Sequence, residues 1–383
     1  MTISPSPLFW LRWAWRDLRA HWVGIVAIAT VIAIGTGVYA GLSNTSTWRR
    51  LSYDASYSTT RLHDLRIATP AVGFGAWTSR RPCASWSDSP DGCLCEHRTM
   101  IDEHPSRRLW RAVETVHAVT YFAEESIAAA RDCGYKGFWM GYFAFRAAPL
   151  GPVGAAPVEA LFNTFNAERV QRALPDAWGF APPHEAIAAR RSAAGVALAR
   201  CGVEALDEYL MQAMYGSVAT IAPHGRALFA ANRAIPQTGE ALGDLWQWCT
   251  TVREHRGDSH VAALAVLGID GLEATVLLAA DQGIDVTMFE ESRGWEPRHI
   301  AAAQQRLGNH RLLDADGRLT DDGRELRSQI EDMTDRQAFG VIARLGQAYE
   351  MVLHSLEAAA VVVNAAGIIP YPNPMGLDLP PEA

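Results

Sequence analysis

Lysine is nearly missing from this 383-residue chain: Lys136 is the single lysine among 34 basic residues. With alanine abundant as well, that bias reads as a GC-rich coding sequence rather than a functional choice. Cysteine is scarce, six in all, too few for a disulfide framework. An excess of positive charge is also lacking. The formal charge of −8 at pH 7 argues against a protein that coats nucleic acid through bulk charge. The chain has no Gly-rich phosphate loop, His-Glu-x-x-His, Gly-x-Ser-x-Gly or Cys-x-x-Cys, so no named enzyme class is supported and enzymatic activity stays open. After residue 70 no apolar run reaches the roughly 18 residues of a membrane helix. The nearest, residues 358–369, is short and contains Asn364.

What the chain does have is unevenly placed. Residues 1–96 carry nine Arg and six acids, whereas residues 97–383 carry 25 basic and 36 acidic groups. Residues 22–42 contain no charge at all. At about 1.5 Å per residue they span about 31 Å, which matches a bilayer core of about 30 Å. A signal peptide would have a shorter apolar region and a small-residue cleavage site. Trp22 and Tyr39 near the two ends suit the headgroup region of a true spanning helix. Before it, Arg12, Arg16 and Arg19 recur at helical spacing among aromatics, as in an amphipathic helix lying in the interface. Arginines flank both ends of the span, so they give only a weak vote for a cytoplasmic N-terminus.

Trp15-Arg16-Asp17-Leu18-Arg19, the exit Gly35-Thr36-Gly37-Val38-Tyr39-Ala40-Gly41-Leu42, and Tyr53-Asp54-Ala55-Ser56-Tyr57 through His63-Asp64-Leu65-Arg66 carry a resemblance. Residues 8–68 resemble the start of an FtsX/MacB-type ABC transporter permease. In that family the first span leads into an extracytoplasmic domain and further spans follow. One span forms no transport pathway, so the resemblance implies origin and not working transport. Residues 70–99 are punctuated by Pro70, Gly73, Gly75, Pro82, Pro90 and Gly92 and read as a disordered linker or fusion junction. Cys83, Cys93, Cys95 and His97 fall there. Their spacing lacks the Cys-x2–4-Cys pairing of a tetrahedral zinc site, and no metal or cofactor is expected.

From about residue 100 the pattern is helical. A first helix is predicted over 106–131, broken near Ala123. Trp110, Glu114, His117 and Tyr121 share one of its faces. Glu and His where Leu would pack more cheaply mark a candidate site; the plain alternative is that His117 and Glu114 satisfy each other inside a core. In the aromatic run 137–151, Trp139, Phe143 and Arg146 share a face, Gly141 permits close helix approach, and Pro149 ends or bends the helix. An Arg among buried aromatics needs a partner, which is Glu114 or a ligand carboxylate or phosphate held bidentately. Asp258 or Ser259 is read as a helix cap that puts His260 in a first turn. The ligand-pocket candidates are therefore Glu114, His117, Tyr121, Trp139, Tyr142, Phe143, Arg146 and His260. In an enzyme, His117 would be the general acid or base, Glu114 its orienter and Arg146 the anion clamp.

Residues 271–330 carry the clearest pattern. Helices are predicted over 272–280, 286–291 and 297–307, the last opened by Pro297. A β-hairpin with an Asp-Gly turn follows over 311–320, and another helix starts at Thr320. Three helices, a two-stranded wing and a helix give the winged helix-turn-helix order. Arg298, His299, Gln304, Gln305 and Arg306 occupy the recognition-helix position and are the DNA-contact candidates. Yet residues 285–327 hold nine acids against seven Arg, and Asp314, Asp316, Asp321 and Asp322 surround the wing. Phosphate contacts need the opposite charge. DNA is thus an allowed partner that the acidic wing disfavours. The proline-rich end, 369–377, should lie across the domain surface with Tyr371 as an anchor.

The Glu114/His117 helix, residues 137–151, the winged pattern and this tail resemble the SalK-like bacterial helix-turn-helix family over almost all of residues 104–377. That resemblance implies a fold and the label of regulator, with no reaction attached. Glu296 stands where the family has a hydroxylic cap. The expected architecture is mostly α: an interfacial helix (1–20), a transmembrane helix (21–43), a truncated permease-like segment (44–69), the junction (70–99), a helical domain with a candidate pocket (100–250), a winged helix-turn-helix module (251–340) and a C-terminal helix with a proline-rich tail (341–383). The expected partners are a small acidic or aromatic ligand, the membrane through residues 22–42, and a second copy in a homodimer. The leading expectation is a ligand-responsive regulator, and its alternatives are an enzyme or binder using the pocket and a permease fragment. A single-pass membrane location follows from the anchor, and a cytoplasmic one for the soluble part expressed separately. A permease-like orientation would put a DNA reader outside the cytoplasm. An accidental fusion of two reading frames resolves that conflict most simply.

Overall fold

The structure is a computed structural model and describes residues 103–377. The expected interfacial helix, membrane helix, permease-like segment and junction, with Cys83, Cys93, Cys95 and His97, lie outside the described residues. Among the described residues no single helix is long and apolar enough to cross a membrane.

Helix α1 (Pro105–Phe122) starts at a proline, whose missing N–H would have no helical partner there anyway. Its cap is His104, whose Nδ1 accepts from the Ser106 N–H at 3.2 Å. The helix stops at Ala123, which is extended (φ −72°, ψ 140°), and α2 (Glu124–Asp132) begins beyond it. The predicted break is therefore where the sequence put it. Helix α3 (Gly137–Ala147) passes into a single 3-10 turn, Ala148–Leu150, at Pro149. Gly141 lies where α3 meets α2: a Cβ there would stand 2.8 Å from the Ala130 Cβ. Short helices α4 (Ala155–Leu161) and α5 (Ala167–Gln171) lead to α6 (Pro183–Cys201), α7 (Glu208–Ala219) and α8 (Ala227–Arg233).

Helix α9 (Ala241–Leu267) is 27 residues long, about 40 Å at helical rise. It packs against α1, α6, α8 and α13 (Asp321–Ala338) and forms the axis of the body. The expected cap at Asp258 or Ser259 is corrected here, because both are buried in the interior of α9 and His260 is not in a first turn. The segment looks like a loop because it is polar, but neighbouring elements supply its partners. Asp258 accepts the Phe229 N–H at 2.9 Å, which satisfies an otherwise orphaned donor in the first turn of α8. Ser259 donates to the His255 carbonyl and accepts from Arg226. The helix also runs unbroken through 250/251, where the sequence suggests a domain boundary.

Helices α10 (Gly271–Gln282), α11 (Met288–Arg293) and α12 (Pro297–Asn309) follow, then α13. Helix α10 opens with a capping box: the Glu273 N–H donates to Asp270 at 2.7 Å and the Asp270 N–H donates back to Glu273 at 3.0 Å. Ile300, Ala303 and Leu307 are the buried stripe of α12 and join Leu272, Val276 and Leu277 of α10 in a small separate core. Leu313 and Leu319 close that core from below. They form an isolated antiparallel bridge and not the expected two-stranded hairpin. On either side of that bridge the Asp314 N–H donates to the Arg318 carbonyl at 2.9 Å and the Thr320 N–H to the Leu312 carbonyl at 3.1 Å, and within the turn the Asp314 carboxylate accepts from the Asp316 and Arg318 N–H groups, both at 2.9 Å. Thr320 then caps α13 through the Gly323 N–H.

Helix α14 (Gly340–Leu345) and α15 (Tyr349–Ala365) complete the body. The proline-rich tail is non-helical, with Ile369 and Leu377 in the main core and the Tyr371 hydroxyl donating to Asn364 at 2.8 Å. The α10–α12 segment is fastened to the body through residues 162–166. The Trp295 ring N–H donates to the Thr164 carbonyl at 2.8 Å, and the Asn166 N–H donates to the Arg293 carbonyl at 3.0 Å. Gly271 lies at the same seam, where an added Cβ would overlap the Asn163 carbonyl oxygen. Gly271→Ala should therefore lower stability by at least ~1–3 kcal/mol, the range for overpacking a tight contact. Urea unfolding measures it, and an unchanged midpoint would show that the seam is not tight.

Candidate functional site

Two cavities meet in the body. The first, about 320 Å³, lies among α1, α2, α3, α6 and α9 and is walled largely by Tyr121, Tyr135, Phe138, Tyr142, Phe145 and Trp246. His117, Thr250, Arg146, Arg190 and Glu254 supply its polar groups. The second, about 620 Å³, is walled by Glu114, Trp139, Arg253 and His260 of the body, and also by Ala274 and Leu278 of α10, Phe289 and Arg293 of α11, and Arg327 and Glu331 of α13. Tyr121, Phe138, Tyr142 and Arg146 line both.

His117 is buried and neutral. Burial first, and then the charge of Arg253, holds its pKa well below the ordinary imidazole value. Its tautomer follows from its neighbours. Thr250 donates its hydroxyl proton to the Trp246 carbonyl at 2.9 Å, so it must accept from His117 Nδ1, also at 2.9 Å. Nε2 is then an acceptor, and the Tyr121 hydroxyl donates to it at 3.0 Å. The chain Tyr121, His117, Thr250, Trp246 carbonyl ends on a group that takes no proton onward. It orients the phenol at the cavity wall and does not shuttle protons. The expected Glu114–His117 pair is absent, and both ring nitrogens of His117 are engaged within this chain. The general-base role with Glu114 as orienter is thus corrected.

The charges sort differently from the expectation. Arg146 is held by Glu254 through Nε at 2.9 Å and Nη2 at 3.1 Å, and its Nη1 reaches the Tyr142 hydroxyl at 3.3 Å. Its guanidinium carbon lies 3.9 Å from the Phe162 ring centroid. Each of its three nitrogens is bound inside the protein, so Arg146 is no anion clamp. Glu254 also takes Arg253 Nη1 at 2.8 Å, and Arg253 Nε reaches Glu114 at 3.3 Å. Burial pushes the Glu254 carboxyl up, but Arg146 and Arg253 outweigh it and leave the pKa well below the carboxylate range. Arg190, deep in the body, has only neutral acceptors: the Phe145 carbonyl, Asn232 and Gln247. Burial pulls it down to about 10.

Among the remaining candidates, Tyr121 and Tyr142 sit on the shared wall and Trp139 on the second cavity, beneath the Arg169 guanidinium. His260 lines the second cavity too, bonded to Thr334 at 3.2 Å. Phe143 does not belong to the site: it is fully buried against Phe162 and Phe165. Arg190, Trp246, Thr250, Arg253, Glu254 and Arg293 were not legible as site residues. The usable signal was a charged run, residues 253–258, inside a breaker-poor stretch of 27, because such a run is tolerated in a central helix only when every charge is partnered.

On α12, Arg298 and Gln305 are exposed and His299 and Gln304 half-buried. Arg306 is tied to α10 by Glu273 and Asp270, both at 2.7 Å. Arg298 pairs with Glu296, Arg318 with Asp316 and Arg324 with Asp321. Among the described residues no group of three or more His, Cys, Asp or Glu is placed to hold a metal ion.

Two consequences are measurable. Glu254→Gln leaves Arg146 without a carboxylate partner and Arg253 with Glu114 alone, and should cost about 3–5 kcal/mol in urea unfolding. Stability should also fall as pH drops below about 6.5. Burial lowers His117, lowers His255 to about 3 and lowers His260 to about 4, so each takes up a proton only on unfolding. Asp258, raised by burial to about 6, takes one up in the folded state and offsets one of the three. Near pH 5 the unfolded state therefore binds more protons than the folded one, and stability rises with pH there. Unfolding curves flat from pH 7 to pH 5 would contradict it.

No curated protein and no solved structure matches the chain. A family model described as a helix-turn-helix family matches residues 106–370, from the first turn of α1 to the start of the proline-rich tail. The match covers most of the chain and all but the first residue of the α1 to α15 array, and by it the chain belongs to the helix-turn-helix family.

Proposed function

We propose that this protein is a ligand-responsive regulator of the SalK-like kind, with the joined cavities as sensor and the helix-turn-helix unit as output. In this reading α12 is the base-reading helix and residues 312–320 are its wing. The observation that carries the proposal is that the second cavity has walls from both parts: Arg253 and Trp139 of the body face Arg293 and Phe289 of α11. A ligand there contacts both, so it binds the two relative positions of the parts with different affinity and shifts their populations. Gln305 and Arg298 are exposed on α12 and are the side chains this reading offers to base edges.

One observation favours a second reading, a small-molecule binder or enzyme in which the helix-turn-helix unit is only a wall. Arg298, Arg306, Arg318 and Arg324 are each matched by a carboxylate. Phosphates would have to displace those carboxylates, which removes most of the salt-dependent attraction that DNA readers rely on. The test is electrophoretic mobility of the DNA upstream of its own reading frame, at low salt, with residues 100–383. The regulator reading expects retardation that Gln305→Ala weakens. Unchanged mobility would end that reading and leave the binder.

A further inference from the structure

Four arginines converge where the two cavities join: Arg146, Arg190, Arg253 and Arg293. Two carboxylates, Glu114 and Glu254, answer them. The far end of the second cavity has no such imbalance, since Arg107, Arg256 and Arg327 are met by Asp335, Glu331 and Asp281. The excess of two positive charges therefore sits at the junction, and two residues account for it. Arg190 is enclosed and has three neutral acceptors. Arg293 is not so provided. Its guanidinium lies 4.6 Å from the Phe165 ring centroid, and its single hydrogen bond runs from Nη2 to the Pro374 carbonyl. Nε and Nη1 of Arg293 donate to no group among the described residues, nor does Nη2 of Arg253. Arg293 is partly buried on the wall of the cavity, and Arg253 lines the same wall.

Arg293 ends α11 and begins the turn into α12, the segment Arg293-Gly294-Trp295-Glu296. The helix-turn-helix unit thus sends one cation from its central turn into a cavity of the body that already holds a positive excess. Resting there is unfavourable: burial, and then the like charges of Arg146 and Arg253, pull Arg293 below the ordinary arginine pKa. An anion would offset them by supplying the counter-charge that the junction lacks. Guanidinium donors match carboxylate and phosphate oxygens in geometry as well as charge. Beside the arginines the shared wall is aromatic, formed by Tyr121, Phe138 and Tyr142. The combined space is of the size that encloses a small organic molecule.

We infer that the junction is the seat of an organic acid, whose carboxylate or phosphate bridges Arg253 of the body and Arg293 of the helix-turn-helix turn while its apolar portion lies along Tyr121, Phe138 and Tyr142. This deepens the ligand-responsive reading and rests on it for the cavity being a ligand site. It adds the ligand's chemical class and the contact through which occupancy is felt. Bound acid holds the turn before α12 to the body, and loss of the acid restores the repulsion between Arg293 and its neighbours.

The test is isothermal titration of the full-length chain with benzoate, phenyl phosphate, inorganic phosphate and the neutral benzyl alcohol. Benzoate or phenyl phosphate should bind, and whichever is tighter tells carboxylate from phosphate. Benzyl alcohol and inorganic phosphate should each bind at least about tenfold more weakly, since each lacks half of the recognition. Arg293→Gln should lose about 10–100-fold in affinity for the acid, and Arg293→Lys should recover part of it. Unfolding midpoints of both variants check that they are folded. Hydrogen exchange supplies a readout specific to the bridge: the acid should slow exchange in α11 and α12 of the wild type but not of Arg293→Gln. If benzyl alcohol binds as tightly as the acids, or Arg293→Gln binds the acid unchanged, the acid seat is overturned while the cavity remains a ligand site. If none of the four probes binds, both readings fall together.

Discussion

One carboxylate holds the interior together. Glu254, in the middle of the longest helix, receives Arg146 from α3 and Arg253 from its own helix. Three charges buried this closely would be prohibitive singly, because each gives up hydration that the interior does not replace. Their geometry is what makes them tolerable: Arg146 is bound through two nitrogens to Glu254 and through the third to Tyr142, with its flat face against Phe162. Everything lining the cavities is positioned against that arrangement. Tyr142 is oriented by Arg146, Glu114 is drawn to Arg253, and His117 is kept neutral beside both arginines.

The same logic explains an axial helix as polar as α9. Asp244, Gln247, Thr250, Thr251, Glu254, His255, Asp258 and Ser259 are all buried on it. An all-apolar helix would pack as well and would leave no reason for one arrangement of its neighbours over another. Several of these side chains select a partner: Asp258 the start of α8, Thr250 the imidazole of α1, Gln247 the Asn232 side chain. Polar specificity of this kind fixes the orientation of surrounding helices and so the shape of the space between them. The helix-turn-helix unit extends that space instead of standing apart from it. Its turn is hydrogen-bonded to residues 164 and 166, and its α11 arginine completes a cavity wall.

Much of the architecture was readable from local signals. Ala123 breaks α1 from α2, Pro149 ends α3, Pro297 starts α12 and Thr320 caps α13, because proline, caps and periodicity act within a few residues. The wing is shorter than its pattern implies. Asp316-Gly317 marks the turn, but the segments beside it pair at a single bridge, Leu313 with Leu319, before Thr320 caps α13. The candidate site was half legible. His117, Tyr121, Tyr142 and Arg146 do come together, since an aromatic face bearing polar residues is unusual enough to notice. Their partners are not legible, because Arg253 and Glu254 lie more than 100 residues away along the chain.

The amino-acid sequence by itself determined where helices start and stop, which segments carry the helix-turn-helix order, and that an aromatic-lined site with an arginine exists. Those properties depend on backbone propensity and on side chains a turn or two apart. Tertiary structure alone decided which charge meets which, that α9 is one continuous buried axis, and that Arg293 enters the body's cavity. Pairing of buried charges is a property of distance in space, and the strong distance dependence of electrostatics in a low-dielectric interior gives no trace of it along the chain.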